Sequence, residues 1–298
     1  MQKTSPPWYT RLVPWRTSTG GDATREARKD VAGLQPAVVV TGGSRGIGLS
    51  LAERFLKSGR KTAIVARDAA GLQEAAAALK SSTGADVTTI RCDVTDADAL
   101  NVITEALKRE GLYIDILVNN AGLGLAGSFV DHSEAELSRL VALNIESVTR
   151  LTRAALPPML VRRQGGILNV ASLGAVIPGP NQAAYYASKA YVVSLTEAIA
   201  SEVWGQGVRV SALLPGPVTT EFHEAMGAER SLYRYLLPPM SPERVARSAY
   251  RQFMFGNRVI VPGISNMFFY VALKLLPHAV TVPMMFWLLR RPQNISRS

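Results

Sequence analysis

Between residues 36 and 263, short apolar runs alternate with helix-length segments along the whole stretch. Ala37–Val40, Thr62–Ala66, Val87–Arg91, Ile114–Val118, Gly166–Val170, Val208–Leu213 and Arg258–Val261 read as strands. Such short runs with little polar interruption suit strands buried on both faces. The segments between them, Leu49–Lys57, 70–80, 96–109, 133–160, 183–204 and 242–254, read as helices. Gly59 stops the first, and Pro157 with Pro158 is expected to stop the fourth. Regular alternation requires parallel strands joined by right-handed crossovers, with helices covering both sheet faces. The expected fold is therefore α/β: a doubly wound, mostly parallel seven-stranded sheet in a single domain.

The chain has 298 residues, ample for one large core. Residues 1–35 read as an N-terminal extension, 36–263 as the body and 264–298 as a C-terminal extension. The N-terminal stretch is rich in Pro, Gly and charged or hydroxyl residues. It has no apolar run long enough for a secretory signal, and Asp22, Glu26 and Asp30 break the basic character of a transit peptide. Its Trp8, Tyr9 and Trp15 suggest packing on the body or at an interface. One cysteine, Cys92, excludes an internal disulfide and suits a small core position in a reducing compartment such as the cytoplasm. His132, His223 and His278 lie far apart without ligand spacing, so no metal site is expected.

The first chemical signal follows the first strand. Thr41-Gly42-Gly43-Ser44-Arg45-Gly46-Ile47-Gly48 places glycines at 42, 46 and 48, between a strand and a helix. Glycines there allow a tight turn and let the backbone approach a pyrophosphate at the helix N-terminus, the Rossmann arrangement. At the end of the second strand, where an acid would accept from a ribose 2′-hydroxyl, stand Ala66 and Arg67. Asp68 reads as a helix N-cap. Arg67, with Arg45 from the loop, can pair with a 2′-phosphate, which favours NADP(H) over NAD(H). Asp93 and Asn119-Asn120-Ala121-Gly122 close the third and fourth strands, at the crevice where ligands of such sheets bind.

The second signal is Tyr185-Tyr186-Ala187-Ser188-Lys189. On a helix, Tyr185 and Lys189 lie one turn apart on one face. By itself the pair suits an ordinary helix surface. If the ammonium is held beside the phenol, it lowers the Tyr pKa and readies it for proton transfer. Ser172, thirteen residues earlier at a strand end, could orient a substrate oxygen toward it.

Taken in order, Thr41–Gly48, Asp93, Asn119–Gly122, Asn144, Ser172, Tyr185 with Lys189, and Pro215-Gly216 resemble the short-chain dehydrogenase/reductase superfamily, over roughly residues 36–263. The resemblance implies Asn144, Ser172, Tyr185 and Lys189 as a catalytic tetrad, with Asn144 holding a water that continues a proton relay from Lys189. It implies cofactor contacts from Gly42, Ser44, Arg45, Gly46, Ile47, Gly48, Arg67, Asp93, Val94, Asn120, Tyr185 and Lys189, with Pro215, Val218 and Thr220 flanking the nicotinamide. The expected reaction interconverts a ketone or aldehyde and a secondary alcohol with NADP(H), in a homo-oligomer, dimer or tetramer. A non-catalytic NADPH-binding regulator on the same fold is the alternative.

Segment 217–240 stands where a substrate lid would lie. It offers Phe222, Met226, Leu232, Tyr233, Tyr235, Leu236 and Leu237, so a fairly apolar substrate is expected. Residues 230–298 carry ten Lys or Arg against one acid, Glu243, a net of +9 out of the chain's +10. The tail is too apolar and too poor in alternating polar and aromatic residues for a nucleic-acid groove. Its apolar pieces, 267–273 and 284–289, are each too short to span a bilayer. Three placements stay open for 264–291: against a second subunit, over the substrate cleft, or on a membrane surface as a peripheral contact.

Overall fold

A computed structural model describes residues 31–220, Phe222, Met226 and 238–289. The aromatic residues of the N-terminal stretch and the lid residues Leu232, Tyr233, Tyr235, Leu236 and Leu237 lie outside the described residues. Among the described residues, seven strands form one sheet: β1 (Gln35–Thr41), β2 (Lys61–Ala66), β3 (Thr88–Arg91), β4 (Leu112–Asn119), β5 (Gly165–Val170), β6 (Val208–Leu213) and β7 (Val259–Ile260). Their order is β3-β2-β1-β4-β5-β6-β7, and every pairing is parallel. The order reverses between β1 and β4, so their carboxyl ends open the crevice where a ligand lies in such sheets.

The apolar runs form strands because helices bury them from both sides. Val38, Val39 and Val40 are at most 1% exposed. Val38 and Val40 face one core with Phe55, Leu72 and Phe253, whereas Val39 faces another with Ile103, Leu117 and Met159. Each such side chain contributes roughly 1.5–3 kcal/mol by leaving water. The covering helices are α1 (Gly46–Leu56), α2 (Ala69–Thr83), α3 (Ala99–Arg109), α4 (Glu134–Val141), α5 (Ser147–Arg162), α6 (Ala183–Glu202) and α7 (Pro242–Phe255). Asp68 caps α2 as expected, accepting from the backbone N–H groups of Ala70 and Gly71. Ser133 and Glu136 close a capping box at α4.

The long helical region expected over 133–160 is present as α4 and α5 joined without a break by a π-helical turn, Ala142–Glu146. Its expected end needs correction. Pro157 and Pro158 do not end it; α5 runs through them to Arg162. Both prolines are exposed, as are Arg153 and Ala154, so the carbonyls that lose their intrahelical donors lie on the water side. Leu151, Ala155 and Met159 on the opposite face are buried in the core and hold the helix together past that point.

The C-terminal segment adds α8 (Ile264–Leu275) and α9 (His278–Leu288), each packed on the body. Pro283 lies inside α9, on its exposed side. Among the described residues, no helix is long and apolar enough to cross a membrane.

Candidate active site

The site is built at the carboxyl ends of β1, β4, β5 and β6. Gly42 and Gly46 have φ values of +61° and +57°, which L side chains rarely adopt. A Cβ on Gly48 would lie 2.2 Å from the Gly42 carbonyl and 2.4 Å from Asn120 Nδ2, so only glycine fits. The helix begins at Gly46, earlier than the predicted Leu49. Gly46 and Gly48 therefore sit in its first turn, where backbone N–H groups lack intrahelical partners.

Thr41 and Asn120 hold this loop. The Thr41 hydroxyl accepts from the backbone N–H groups of Asn120 (3.0 Å) and Ala121 (3.1 Å). Asn120 Nδ2 donates to the carbonyls of Thr41 (2.9 Å) and Gly42 (3.0 Å). Both protons of the Asn120 amide are thus used to position the glycine turn. Thr41 was read only as part of the glycine motif. A hydroxyl at the last position of a buried strand is the signal that could have singled it out.

From this cradle a cavity of about 1760 Å³ runs to the C-terminal helices α8 and α9. At the end nearest β2 and β3 lie Ser44, Arg45, Arg67, Asp93 and Val94. Arg67 Nη1 is 3.5 Å from Asp93 Oδ2, a largely exposed pair. Asp93 Oδ1 accepts from the Thr95 backbone N–H (2.9 Å) and hydroxyl (2.7 Å). Burial pushes the Asp93 carboxyl up, but the Thr95 bonds and the Arg67 charge outweigh it, and the net shift is downward. In the middle lie Ile47, Pro215, Val218 and Thr220. Thr220 Cγ2 stands 3.3 Å from where a Gly46 Cβ would be.

The far half holds the four polar residues of the expected tetrad. Ser172 follows β5, and its Oγ accepts from the Gly174 N–H at 3.1 Å. Tyr185 and Lys189 are buried on α6, at 8% and 5% exposure. Lys189 Nζ donates to the Val170 carbonyl at 3.0 Å and lies 5.9 Å from the Tyr185 ring centroid. Asn144 sits in the π turn with no exposed surface. Its Nδ2 donates to the Leu123 carbonyl (2.8 Å) and Ser188 Oγ (3.0 Å), and its Oδ1 accepts from the Leu123 N–H (3.0 Å). A Cβ on Gly122 would come within 3.2 Å of Asn144 Oδ1 and 3.3 Å of Lys189 Nζ, so Gly122 keeps that junction open. Ser188 escaped sequence reasoning. Its hydroxyl donates to the Tyr185 carbonyl and accepts from Asn144, tying α6 to the π turn.

The electrostatics differ from the expectation that Lys189 lowers the Tyr185 pKa. Burial pushes the Tyr185 phenol up to about 12, only partly offset by a hydrogen bond from Ser172. Burial lowers the Lys189 ammonium to about 8. Both groups leave water, and desolvation disfavours the charged form of each. With Lys189 bonded to a backbone carbonyl, it does not reverse the phenol's shift.

Apolar walls complete the cavity beyond Tyr185. Phe222 lies 5.8 Å from the Tyr185 ring, centroid to centroid. Met226, Leu273 and Met285 join the same cluster, the last two from α8 and α9. Helices α8 and α9 thus roof the cleft, one of the three placements left open for the segment.

The glycine cradle, the first turn of α1, the cations Arg45 of the loop and Arg67 at the β2 end, and the long crevice fit a nicotinamide dinucleotide. The chain is similar to known proteins in the same sense. A family model for short chain dehydrogenases matches residues 36–231. The chain is 40% identical over 184 residues, 61% of its length and 71% of the other's, to 2-(S)-hydroxypropyl-CoM dehydrogenase 3 of Xanthobacter autotrophicus. A short-chain dehydrogenase from Sphingobium yanoikuyae in complex with NADPH is 30% identical with a TM-score of 0.71, covering 88% of this chain and 99% of that one. A bulky-bulky ketone specific alcohol dehydrogenase from Comamonas testosteroni is 29% identical with a TM-score of 0.66, covering 78% and 87%. These matches span the glycine cradle, the sheet and the Ser-Tyr-Lys end together, and the chain belongs to the short-chain dehydrogenase/reductase family, oxidoreductases of CH–OH and C=O groups that use a nicotinamide cofactor.

Proposed function

We propose that this protein is an NADP(H)-dependent reductase and dehydrogenase that interconverts an apolar ketone or aldehyde and the corresponding secondary alcohol. The observation that carries the reading is a buried Tyr185 and Lys189 beside Ser172, at the apolar end of a cavity whose other end is the glycine cradle. The dinucleotide, when bound, supplies hydride chemistry that no side chain can. Gly42, Ser44, Arg45, Gly46, Ile47, Gly48, Asn120 and Val94 would hold it, with Pro215, Val218 and Thr220 along the nicotinamide half. Arg67 and Arg45 would take a 2′-phosphate. The absence of an acid at Ala66 supports NADP(H), and Asp93, already paired with Arg67, would shift toward the adenine.

In this reading Ser172 donates its hydroxyl to the substrate oxygen and holds it against Tyr185. Tyr185 gives its proton to that oxygen during reduction and takes it back during oxidation. A phenol near 12 is protonated at neutral pH, which suits donation. Lys189, still charged below about 8, stabilises the tyrosinate that forms. Asn144 is a positioning residue whose side chain fixes the loop at Leu123, and its place in a proton relay belongs to the same proposal. The walls supplied by Phe222, Met226, Leu273 and Met285 support a bulky apolar substrate. A homo-oligomer is included, supported by the partly exposed Val141 and Tyr191 on the adjacent α4 and α6.

The test is a panel of ketones and alcohols followed by nicotinamide absorbance, with Tyr185→Phe alongside. The variant should lose at least ~10³-fold in kcat and bind NADPH within about twofold of the native chain. Near-native turnover by Tyr185→Phe would overturn the mechanism.

A further inference from the structure

Helices α8 and α9 each carry apolar residues on a buried and on an exposed side, and the site uses only the buried ones. Leu273, Met285 and Leu288 point inward and are buried. On the opposite side of α8, Ile264, Phe268, Val271 and Leu275 recur at spacings of four, three and four, so they form one stripe. They are 79%, 75%, 47% and 78% exposed. Val280 and Trp287, seven apart on α9, are 51% and 60% exposed. A helix apolar all round belongs in an apolar medium, not at a water boundary. The exposed stripe is far from the scattered single residues that ordinary surfaces show.

Charge decides what covers it. Residues 264–289 contain no acid, and the sequence continues with Arg290 and Arg291. An isologous contact with a second copy would set this face against itself, bringing Lys274 against its own kind with no acid in 264–289 to offset it. An anionic lipid surface offers both an apolar layer and opposite charge. Helices of 12 and 11 residues, too short to span, suit lying in its plane.

We infer that the exposed apolar sides of α8 and α9 dock on an anionic bilayer, so that the two helices stand between the lipid and the cavity beside Tyr185. On the carbonyl-reductase reading, the substrate is then a membrane-dissolved ketone or alcohol that enters past these helices.

The test uses the full chain with vesicles of phosphatidylcholine alone and of phosphatidylcholine mixed with phosphatidylglycerol. The chain should co-sediment with the mixed vesicles at low salt, and less so near 1 M salt, where the Debye length falls to about 3 Å. A triple variant, Ile264→Asn with Phe268→Asn and Leu275→Asn, changes exposed side chains and no charge. It should partition at least ~100-fold more weakly while melting as the native chain does and reducing a water-soluble ketone at the native rate. Failure to bind mixed vesicles at low salt, or equal binding by the variant, overturns the inference. A native dimer without lipid that the variant dissociates, again without vesicle binding, overturns it in favour of a second copy. Turnover of a long-chain ketone dissolved in mixed vesicles should fall in the variant, and equal turnover overturns the delivery half. Vesicle binding is measured without catalysis, so absence of activity on every ketone would count against the enzymatic reading and leave the docking result standing.

Discussion

At Lys189, burial and the proposed role pull in opposite directions. The ammonium is about 5% exposed, and its pKa falls from 10.5 to about 8. The unfolded chain therefore holds its proton more tightly than the folded one. Between pH 8 and 10.5 the unfolded state binds the extra proton, so the Lys189 contribution to stability rises with pH across that window. Tyr185, raised from 10 to about 12, acts with the opposite sign above pH 10, where the folded state keeps the proton. At pH 7 the desolvated Lys189 costs about 3 kcal/mol by its shift. Its bond to the Val170 carbonyl returns roughly 1 kcal/mol. Lys189→Met should thus stabilise the protein at pH 7 by about 2 kcal/mol in urea unfolding, and abolish turnover. The gain over the native chain should shrink from pH 7 to pH 10. A variant less stable than the native chain at pH 7 would show that the lysine's bonds outweigh its desolvation.

The elements divide into those announced by local chemistry and those set by tertiary context. The seven strands stand within two residues of their expected bounds, because each is a short β-prone run, most of them apolar, closed within two residues by Gly, Asn, Asp, Ser or Pro. The glycine turn was equally legible, since its conformation is one that only glycine takes cheaply. What escaped the sequence has no local signature. The prolines of α5 look like a helix end until the burial of Ala155 and Met159 is known. The π turn at Asn144 shows no composition signal, and its hydrogen bonds to Leu123 and Ser188 join residues 21 and 44 positions away. Tyr185 and Lys189 were found by spacing, but the direction of the phenol's shift depends on burial that spacing does not encode. The glycine turn also yields a prediction at this scale. Gly48→Ala puts a methyl group 2.2 Å from the Gly42 carbonyl and 2.4 Å from the Asn120 amide. The loop and its Asn120 clamp cannot both survive. The variant should lose about 2–4 kcal/mol of stability, and dinucleotide affinity should fall at least ~100-fold by fluorescence titration. Native affinity in a folded Gly48→Ala protein would mean that the turn is not what holds the dinucleotide.

On the scale of the whole molecule, the cavity crosses the reversal point of the sheet, with β1–β3 on one side and β4–β6 on the other. A dinucleotide lying in it would touch both halves, and whatever binds only the folded state stabilises the entire fold. Near a hundred times its dissociation constant the gain is about 2.7 kcal/mol. For a chain of this size that raises Tm on the order of 6 °C. On the proposed NADP(H) preference, discrimination between the two cofactors would rest on one end of the cavity, where Arg67 and Arg45 stand and Ala66 supplies no acceptor for a free 2′-hydroxyl. The Arg67–Asp93 pair does not prevent the exchange: Arg67 is more than half exposed, and such pairs contribute about 1 kcal/mol or less. NADPH should therefore raise Tm at least twice as far as NADH at equal concentration, which needs only a tenfold difference in affinity. Ala66→Asp combined with Arg67→Ser should reverse the order, because it supplies the acceptor and removes the cation. The readout needs no substrate, so it separates the choice of cofactor from the identity of the ketone. A larger shift with NADH in the native chain would assign these arginines to the surface and the cofactor to NAD(H).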